Sequence, residues 1–160
     1  DYDNGKGCQS LTHGAKPEIN EFSTPEKEMD FIINKIHELE ASGVDQKNIC
    51  IVARTHKLLD NYIAGLQNAG IKSFEIKANK IDDRSFDGVR IATMHRVKGL
   101  EFDAAVNKKV LPFGSRADFE DDISLEEFRT EEKCLLYVAL TRARKSAYVS
   151  CYGGLSELVV

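Results

Sequence analysis

The feature that most constrains this chain is a continuous apolar run at residues 49–53, ICIVA, in which three of the five side chains are β-branched. A strand that is apolar on both sides needs cover on both faces, which is typical of a parallel sheet flanked by helices. A second run of this type, VRIATM, occupies residues 89–94. Between the two runs, apolar residues recur at helical spacing from Leu59 to Leu66, with Thr55 as the candidate cap and Gly70 as the stop.

The rest of the chain continues this alternation of strands and helices. The pattern predicts an α/β fold with a parallel sheet and helices on its faces. Helix starts are predicted at Thr24, before Pro25, and at Ser124, and Gly43 is predicted to end the first helix. The second of these helices is predicted to run to about Arg144. Further strands are predicted at residues 17–22, 71–76, 103–111 and 146–152, with polar connections at residues 77–88 and 112–124.

Composition narrows the class of protein. The chain has 160 residues, of which 42% are hydrophobic and 30% charged, as in a single soluble domain. The net charge of −4 argues against a basic coat protein but leaves room for a local basic strip. No apolar run reaches the roughly 20 residues of a membrane span, so no membrane partner is predicted. The N-terminus has no signal-like character. The chain does not begin with Met, so an excised or processed fragment is expected.

The four cysteines, Cys8, Cys50, Cys134 and Cys151, show no C-x-x-C spacing, and three lie in apolar runs. Buried free thiols in a reducing, cytoplasmic compartment are therefore predicted, and no metal site.

Three segments depart from simple core packing. Arg54 directly follows the ICIVA run, at the carboxyl end of the predicted strand. Open α/β sheets bind ligands outside the carboxyl ends of their strands. The alternative is a solvated surface arginine. The loop TMHRVKGLEFD at residues 93–103 holds hydrogen-bond donors, a lysine and a glycine, although it could equally be a glycine turn. In the third segment, residues 134–140 are apolar on every side, so the helix is predicted to be buried there.

That third segment ends in Arg142, Arg144 and Lys145. Cations at a helix C-terminus complement the helix dipole, which accounts for Arg144 and Lys145. Arg142 follows directly on the apolar stretch, so its stem is predicted to be held by packing. A guanidinium held in this way can reach a phosphate at little ordering cost.

Together these segments resemble the UvrD/Rep-like superfamily 1 DNA helicases. VRIATMHRVKGLEFDAAV is similar to their motif V, and EEKCLLYVALTRARKSAYVS is similar to their motif VI. ICIVARTHKLLDNYIAGLQNAGI looks like the looser motif IV. The resemblance runs from about residue 17 to the end. It implies that residues 17–160 form a second RecA-like domain and that residues 1–16 are a flexible lead-in.

The resemblance implies an α/β, RecA-like (P-loop NTPase-like) parallel sheet flanked by helices, without a P-loop of its own. No G-x-x-x-x-G-K-[ST] occurs in the chain. ATP with Mg²⁺ would bind between this domain and an N-terminal RecA-like domain of the same protein, which would carry the Mg²⁺ ligands. The implied protein is an ATP-dependent helicase or translocase that moves 3′ to 5′, and the fragment alone would be inactive.

The resemblance also assigns nucleotide-binding roles. Arg54 would approach the γ-phosphate, and Arg142 would act as an arginine finger, so both would be catalytic. Such a finger stabilises charge on the transferred phosphoryl group. Glu101 would face the ribose or the phosphates, and Gly99 would allow close approach.

The remaining assignments concern DNA. Thr93 would contact a phosphate of single-stranded DNA, His95 a phosphate or a base, and Arg96 is a weaker candidate. Motif V would therefore touch both ligands.

Two departures and two alternatives accompany this interpretation. Residues 77–88 are too short for the 2B-type insertion of many family members, and the polar residues 107–109 fall where the family has an apolar strand. That strand is expected to be shorter, to end early or to lie at an edge. The alternatives are a helicase-like regulatory or binding module without unwinding activity and a free-standing nucleotide-binding α/β protein.

Overall fold

The computed structural model describes residues 16–108 and 122–153. The order of elements in these ranges is β1 (Glu18–Phe22), α1 (Pro25–Ala41), a short 3₁₀ helix (Gln46–Asn48), β2 (Ile49–Ala53), α2 (His56–Asn68), β3 (Ser73–Glu75), β4 (Val89–Thr93), β5 (Phe102–Lys108), α3 (Asp122–Leu140) and β6 (Ala143–Tyr152). The predicted lead-in at residues 1–16 and the predicted loop at 112–124 lie largely outside the described residues.

The six strands form one sheet in the order β1-β6-β5-β2-β4-β3, and every pairing is parallel. β2 lies inside the sheet and is buried at all five positions, which confirms the interpretation of the ICIVA run. β5 lies between β6 and β2 and continues through Lys108. The suggestion that this strand sits at an edge is therefore wrong.

Two apolar clusters cover the two faces of the sheet. On one face, α1 and α2 pack on alternate residues of β2, with Ile49, Ile51 and Ala53 in the cluster. On the other face, Cys50 and Val52 pack with residues of α3 and of the loop after β4. This alternation across β2 follows from the two-residue period of a strand. The sheet thus separates a face covered by two helices from a face covered by one helix and a loop.

The predicted helix ends of α1 and α2 are confirmed. The Thr24 hydroxyl accepts from the amide of Lys27, and the Thr55 hydroxyl accepts from the amide of Leu58. Each cap satisfies a helix amide that has no partner inside the helix. Gly43 and Gly70 follow the two helices with φ of 92° and 72°, a left-handed conformation that glycine adopts without strain.

The predicted bounds of α3 are wrong. The helix ends at Leu140 instead of continuing to about Arg144. The carbonyl of Arg142 accepts from the amide of Phe102, and residues from Ala143 onward pair with β5. Arg144 and Lys145, which helix propensity alone would assign to the last turn of α3, therefore lie in β6.

The prediction that α3 is buried on every side is also wrong. Leu136 and Ala139 are buried, but Cys134 and Tyr137 are exposed, the latter at 64%. The physical reason is that α3 covers the sheet with one stripe, while its opposite side has no cover among the described residues. No described helix is both long enough and apolar enough to cross a membrane.

Candidate functional site

Several of the predicted site residues lie at the carboxyl edge of the sheet. Arg54 follows β2, and Thr93 ends β4, the neighbouring strand, where it pairs in register with Ala53. The amide of Met94 donates to the carbonyl of Ala53, so the two strand ends are joined. Thr93 itself is 6% exposed, whereas His95 next along the loop is exposed. The edge where open α/β sheets bind ligands therefore presents motif IV and motif V residues side by side.

Arg54 is held by an ion pair that the sequence did not predict. Its Nε and Nη2 donate to both carboxylate oxygens of Glu132 at 2.7 to 3.0 Å. Glu132 lies in α3 and is only 4% exposed. This hydrogen bond raises the pKa of Arg54, while burial opposes the rise. The pair therefore ties the end of β2 to the helix that covers this face of the sheet.

Glu101 and Arg142 lie at the opposite, amino edge of the sheet. Glu101 precedes β5 and Arg142 precedes β6, and the two strands run side by side. The amide of Phe102 donates to the carbonyl of Arg142 at 2.9 Å, which fixes the two segments against each other. Glu101 is exposed and Arg142 is partly exposed. A carboxylate and a guanidinium thus face outward from one edge.

The Arg142 side chain is only lightly held. Its Nε donates to the carbonyl of Val138 and its Nη2 to the hydroxyl of Thr141, both at 3.3 Å. Both bonds are at the long end of the range for hydrogen bonds. Its neighbours Arg144 and Lys145, at 3.4 Å from the Asp103 carboxylate, are paired instead. Of the three cations in this segment, Arg142 is the one without an ion pair to a described carboxylate, so its guanidinium is the most available to a ligand.

The loop at residues 94–101 joins the two edges. Because β4 and β5 are parallel, the chain must cross a face of the sheet between them. Met94, Val97 and Phe102 are buried in the cluster on the α3 face, and Leu100 is partly buried there. Gly99 has φ of 83°, which favours glycine, and a Cβ at this position would meet nothing within 4 Å. Leu100 and Phe102 therefore anchor this loop to the core.

The side chains of this loop diverge. His95 and Lys98 line a cavity of about 470 Å³ against α3, whose lining includes Cys134 and Val138. Arg96 points into a separate recess beside the end of β3. Consecutive residues His95 and Arg96 therefore serve different surfaces.

The structure does not bring Arg54 and Arg142 together. They leave opposite edges of the sheet, and a strand of five residues spans roughly 17 Å. The Arg54 guanidinium is also engaged by Glu132. To bind one γ-phosphate together with Arg142, Arg54 would have to leave Glu132. Arg142 and Glu101, in contrast, already lie at the same edge.

Sequence reasoning missed three buried charged residues among the described ones: Glu28, which accepts from the hydroxyls of Tyr62 and Ser150, and Glu132 and Arg90. Glu132 falls on the same helical stripe as Leu136 and Ala139, and this spacing was the available signal. Arg90 interrupts an apolar strand and is fully buried. Its guanidinium donates to the Asp82 carboxylate at 2.8 Å and to three backbone carbonyls of the preceding connection.

The cysteines divide into two groups. Cys50 and Cys151 are buried, as predicted, whereas Cys134 is exposed, so the prediction is wrong there. Burial raises the pKa of the Cys50 thiol well above its ordinary value. Cys8 lies outside the described residues. Within residues 16–108 and 122–153, no group of three or more His, Cys, Asp or Glu side chains could hold a metal ion.

Comparison with known sequences adds a family to this geometry. Residues 66–153 match the model of the UvrD-like helicase C-terminal domain. The chain is 34% identical over 126 residues to the putative ATP-dependent DNA helicase YjcD of Bacillus subtilis (strain 168), a match that covers 74% of this chain. The matched region is about 15% of the length of that relative.

Solved structures share the fold. The C-terminal domain of a possible DNA helicase from Lactobacillus plantarum superposes with a TM-score of 0.69 at 19% identity, covering 92% of this chain and 80% of that one. The C-terminal domain of the DEAD-box protein Dbp5 gives a TM-score of 0.55 at 10% identity, covering 91% and 79%. These likenesses confirm the predicted RecA-like α/β sheet. With motifs V and VI inside the matched region, the chain belongs to the UvrD-like helicase C-terminal domain family.

Proposed function

We propose that this chain is the second motor domain of an ATP-dependent DNA helicase or translocase that moves 3′ to 5′ on single-stranded DNA. The observation that carries the proposal is the loop at residues 94–101, which links the carboxyl edge of the sheet to the amino edge. Thr93, His95 and Arg96 would contact DNA at the first edge. Glu101 and Arg142 would contact the nucleotide at the second.

The amino edge fits one side of an ATP molecule. Within the described residues, two long hydrogen bonds hold the guanidinium of Arg142, so it can turn toward a phosphate at little cost. Charge on a transferred phosphoryl group is stabilised by such a guanidinium, which contributes on the order of 1,000-fold or more in rate. The exposed carboxylate of Glu101 can accept from a ribose hydroxyl. Gly99 shapes the approach of the loop through its positive φ.

The other side of the nucleotide must come from elsewhere. The chain contains no P-loop sequence, and its described residues hold no cluster of metal ligands. Mg²⁺ bound with ATP would supply positive charge that stabilises the phosphates during transfer. Its ligands and the phosphate cradle would belong to an N-terminal RecA-like domain of the same protein.

Arg54 has a different role in this proposal. Glu132 accepts hydrogen bonds from two nitrogens of Arg54, so Arg54 positions α3 against the DNA-facing edge. Its Nη1 makes no hydrogen bond to the described part of the chain, so this group can still donate to a ligand. A role for Arg54 on the γ-phosphate would require a domain closure that brings a phosphate to the carboxyl edge.

The test is an ATPase assay on this chain and on the full-length protein, each with and without single-stranded DNA. We expect DNA-stimulated turnover only in the full-length protein. Robust DNA-stimulated turnover by the isolated chain would overturn the shared-site proposal. Full-length protein that binds DNA without hydrolysing ATP would instead support a regulatory or binding module.

A further inference from the structure

We infer that a basic recess at the carboxyl ends of β3 and β4 is a second contact for the phosphate backbone of DNA. The recess has a volume of about 380 Å³ and is lined by His56, Glu75, Lys77, Ala78, Asn79, Lys80 and Arg96. The inference rests on the proposed function, which places Arg96 on the DNA side. It adds a site built mainly from the turn after β3, a segment that carries none of the helicase motifs.

The charge of the recess is opposite in sign to that of the chain. Three permanent cations face one carboxylate, while the whole chain has a net charge of −4. Glu75 already has two partners, with His56 Nδ1 at 3.4 Å and Lys77 Nζ at 3.3 Å. Lys80 and Arg96 make no ion pair with any side chain in residues 16–108 or 122–153. An anionic ligand would therefore meet Lys80 and Arg96, whose charges no carboxylate of the described chain neutralises.

The turn that carries the lysines is fixed at both ends. Before it, the amide of Ile76 donates to the carbonyl of Ile91 at 2.8 Å. After it, the buried guanidinium of Arg90 binds the Asp82 carboxylate. Inside it, the amide of Lys80 donates to the carbonyl of Lys77.

The segment behind the turn is also held in place. Arg90 donates to the carbonyls of Asp83, Phe86 and Gly88, and Arg84 donates to the carbonyl of Lys47 and the side chain of Asn48. A rigid backbone lowers the entropy lost when the lysines bind a phosphate. The fully buried Arg90 thus holds the backbone behind the turn in place, in addition to filling the core.

The recess continues the proposed DNA surface. The amide of Arg96 donates to the carbonyl of Thr93 at 2.9 Å, so these two residues lie in one tight turn. His95 turns toward α3, and Arg96 turns toward the lysines. A strand that contacts Thr93 and His95 can therefore pass on to Lys77 and Lys80 without leaving the carboxyl edge.

A DNA backbone is the ligand that these side chains favour. Lysine ammonium groups bind phosphates as point charges and carry no base information. Their contribution comes from release of counterions, so it falls as the salt concentration rises. The recess is predicted to increase affinity equally for all sequences.

The test is binding of a fluorescein-labelled oligo(dT) to the full-length protein, measured by anisotropy from about 50 to 200 mM salt. The double variant Lys77→Ala/Lys80→Ala should bind more weakly, and the slope of log affinity against log salt should shrink by about 1.4, or about 0.7 for each lost contact. The pair Lys77→Arg/Lys80→Arg, which keeps the charge, should retain the slope. The control Lys27→Ala/Lys72→Ala removes two exposed lysines outside the recess and should match wild type.

The outcomes separate the two proposals. If the recess double variant and the control have the same slope while wild type binds tightly, the recess is not a DNA contact and the proposed function stands. If Thr93→Ala/His95→Ala leaves binding unchanged while the recess variant weakens it, DNA uses the recess and the motif V assignment fails. If wild-type protein shows no affinity for oligo(dT), both are overturned.

Discussion

The guanidinium of Arg54 and the carboxylate of Glu132, 78 positions apart in the chain, form a bidentate ion pair with distances of 2.7 to 3.0 Å. Arg54 directly follows the central strand β2, and Glu132 is buried in α3. The pair therefore joins the end of β2 to α3, the helix that precedes Arg142.

Glu132→Gln is predicted to lower the free energy of unfolding by about 2 kcal/mol, because it leaves a partly buried guanidinium without its counter-charge. Urea denaturation measures the change. The control is Glu131→Gln, an exposed neighbour on the same helix, which should stay within about 0.5 kcal/mol of wild type. Equal effects of the two substitutions would show that the ion pair contributes nothing specific.

Arg142→Ala in the full-length protein is predicted to reduce DNA-stimulated ATP turnover by about 1,000-fold or more, because the transferred phosphoryl group loses its cation. Stability should hardly change, since the hydrogen bonds of this side chain to described residues are two bonds of 3.3 Å. Arg144→Ala removes a neighbouring arginine that is paired with Asp103, and it should keep most of the turnover. Turnover that survives Arg142→Ala would remove this residue from the site.

Gly99→Ala is predicted to cost about 1 to 2 kcal/mol of folding free energy, because an alanine is strained at φ of 83°. The cause would be conformation and not a clash, since the added Cβ has no neighbour within 4 Å. Gly99→Asn should cost less than Gly99→Ala, because asparagine tolerates this region better. Thermal or urea unfolding of both variants checks the order, and a larger cost for asparagine would contradict it.

Tyr62 makes stability fall at high pH. Burial, together with the nearby Glu28 carboxylate that accepts from its hydroxyl, raises the pKa of Tyr62. In the unfolded chain a tyrosine loses its proton near pH ~10, whereas the folded state keeps it. The stabilisation is therefore complete below that pH and is lost as the pH rises above it.

Tyr62→Phe is therefore predicted to show a smaller drop in the urea midpoint between about pH 8 and pH 10.5 than wild type does. At pH 8 the variant should be less stable, because Glu28 loses a donor and keeps the hydroxyl of Ser150 at 2.8 Å. Tyr137→Phe, at an exposed position, should leave the drop unchanged. Identical pH profiles for Tyr62→Phe and wild type would refute the assignment.

The thiols should differ in reactivity. In a Cys8→Ser background, a disulfide reagent is predicted to modify Cys134 quickly in the folded protein, while Cys50 and Cys151 react only on unfolding. Absorbance of the released thiol counts the modified cysteines with and without urea. Fast reaction of Cys50 in the folded state would contradict its burial.

Local patterns predicted much of the fold. The ICIVA run, the two threonine caps and the glycines after α1 and α2 were recognisable because each depends on near neighbours in the chain. The family resemblance also implied that the motif V loop touches both ligands. In the structure its two ends, Thr93 and Glu101, lie at opposite edges of the sheet. Their ligands stay predictions.

The errors have a shared cause. The end of α3 depends on the pairing of Ala143 with β5, and the partner of Arg54 depends on a helix 78 residues away. The helical spacing of Glu132 with Leu136 indicates burial, but no periodic signal identifies Arg54 as its partner or β5 as the partner of Ala143. The exposure of Tyr137 depends on which side of α3 meets the sheet, and an all-apolar stretch does not specify that side.

The pairing of β1 with β6 has a consequence for how the protein is made. β1 lies near the start of the chain and is hydrogen-bonded to β6, which ends at Tyr152. During synthesis on a ribosome, β1 must wait until β6 emerges before the edge that pairs with β6 is covered. Until then β1 remains open to pairing with other chains. A truncation just before β6 would therefore be expected to release β1 and to favour aggregation.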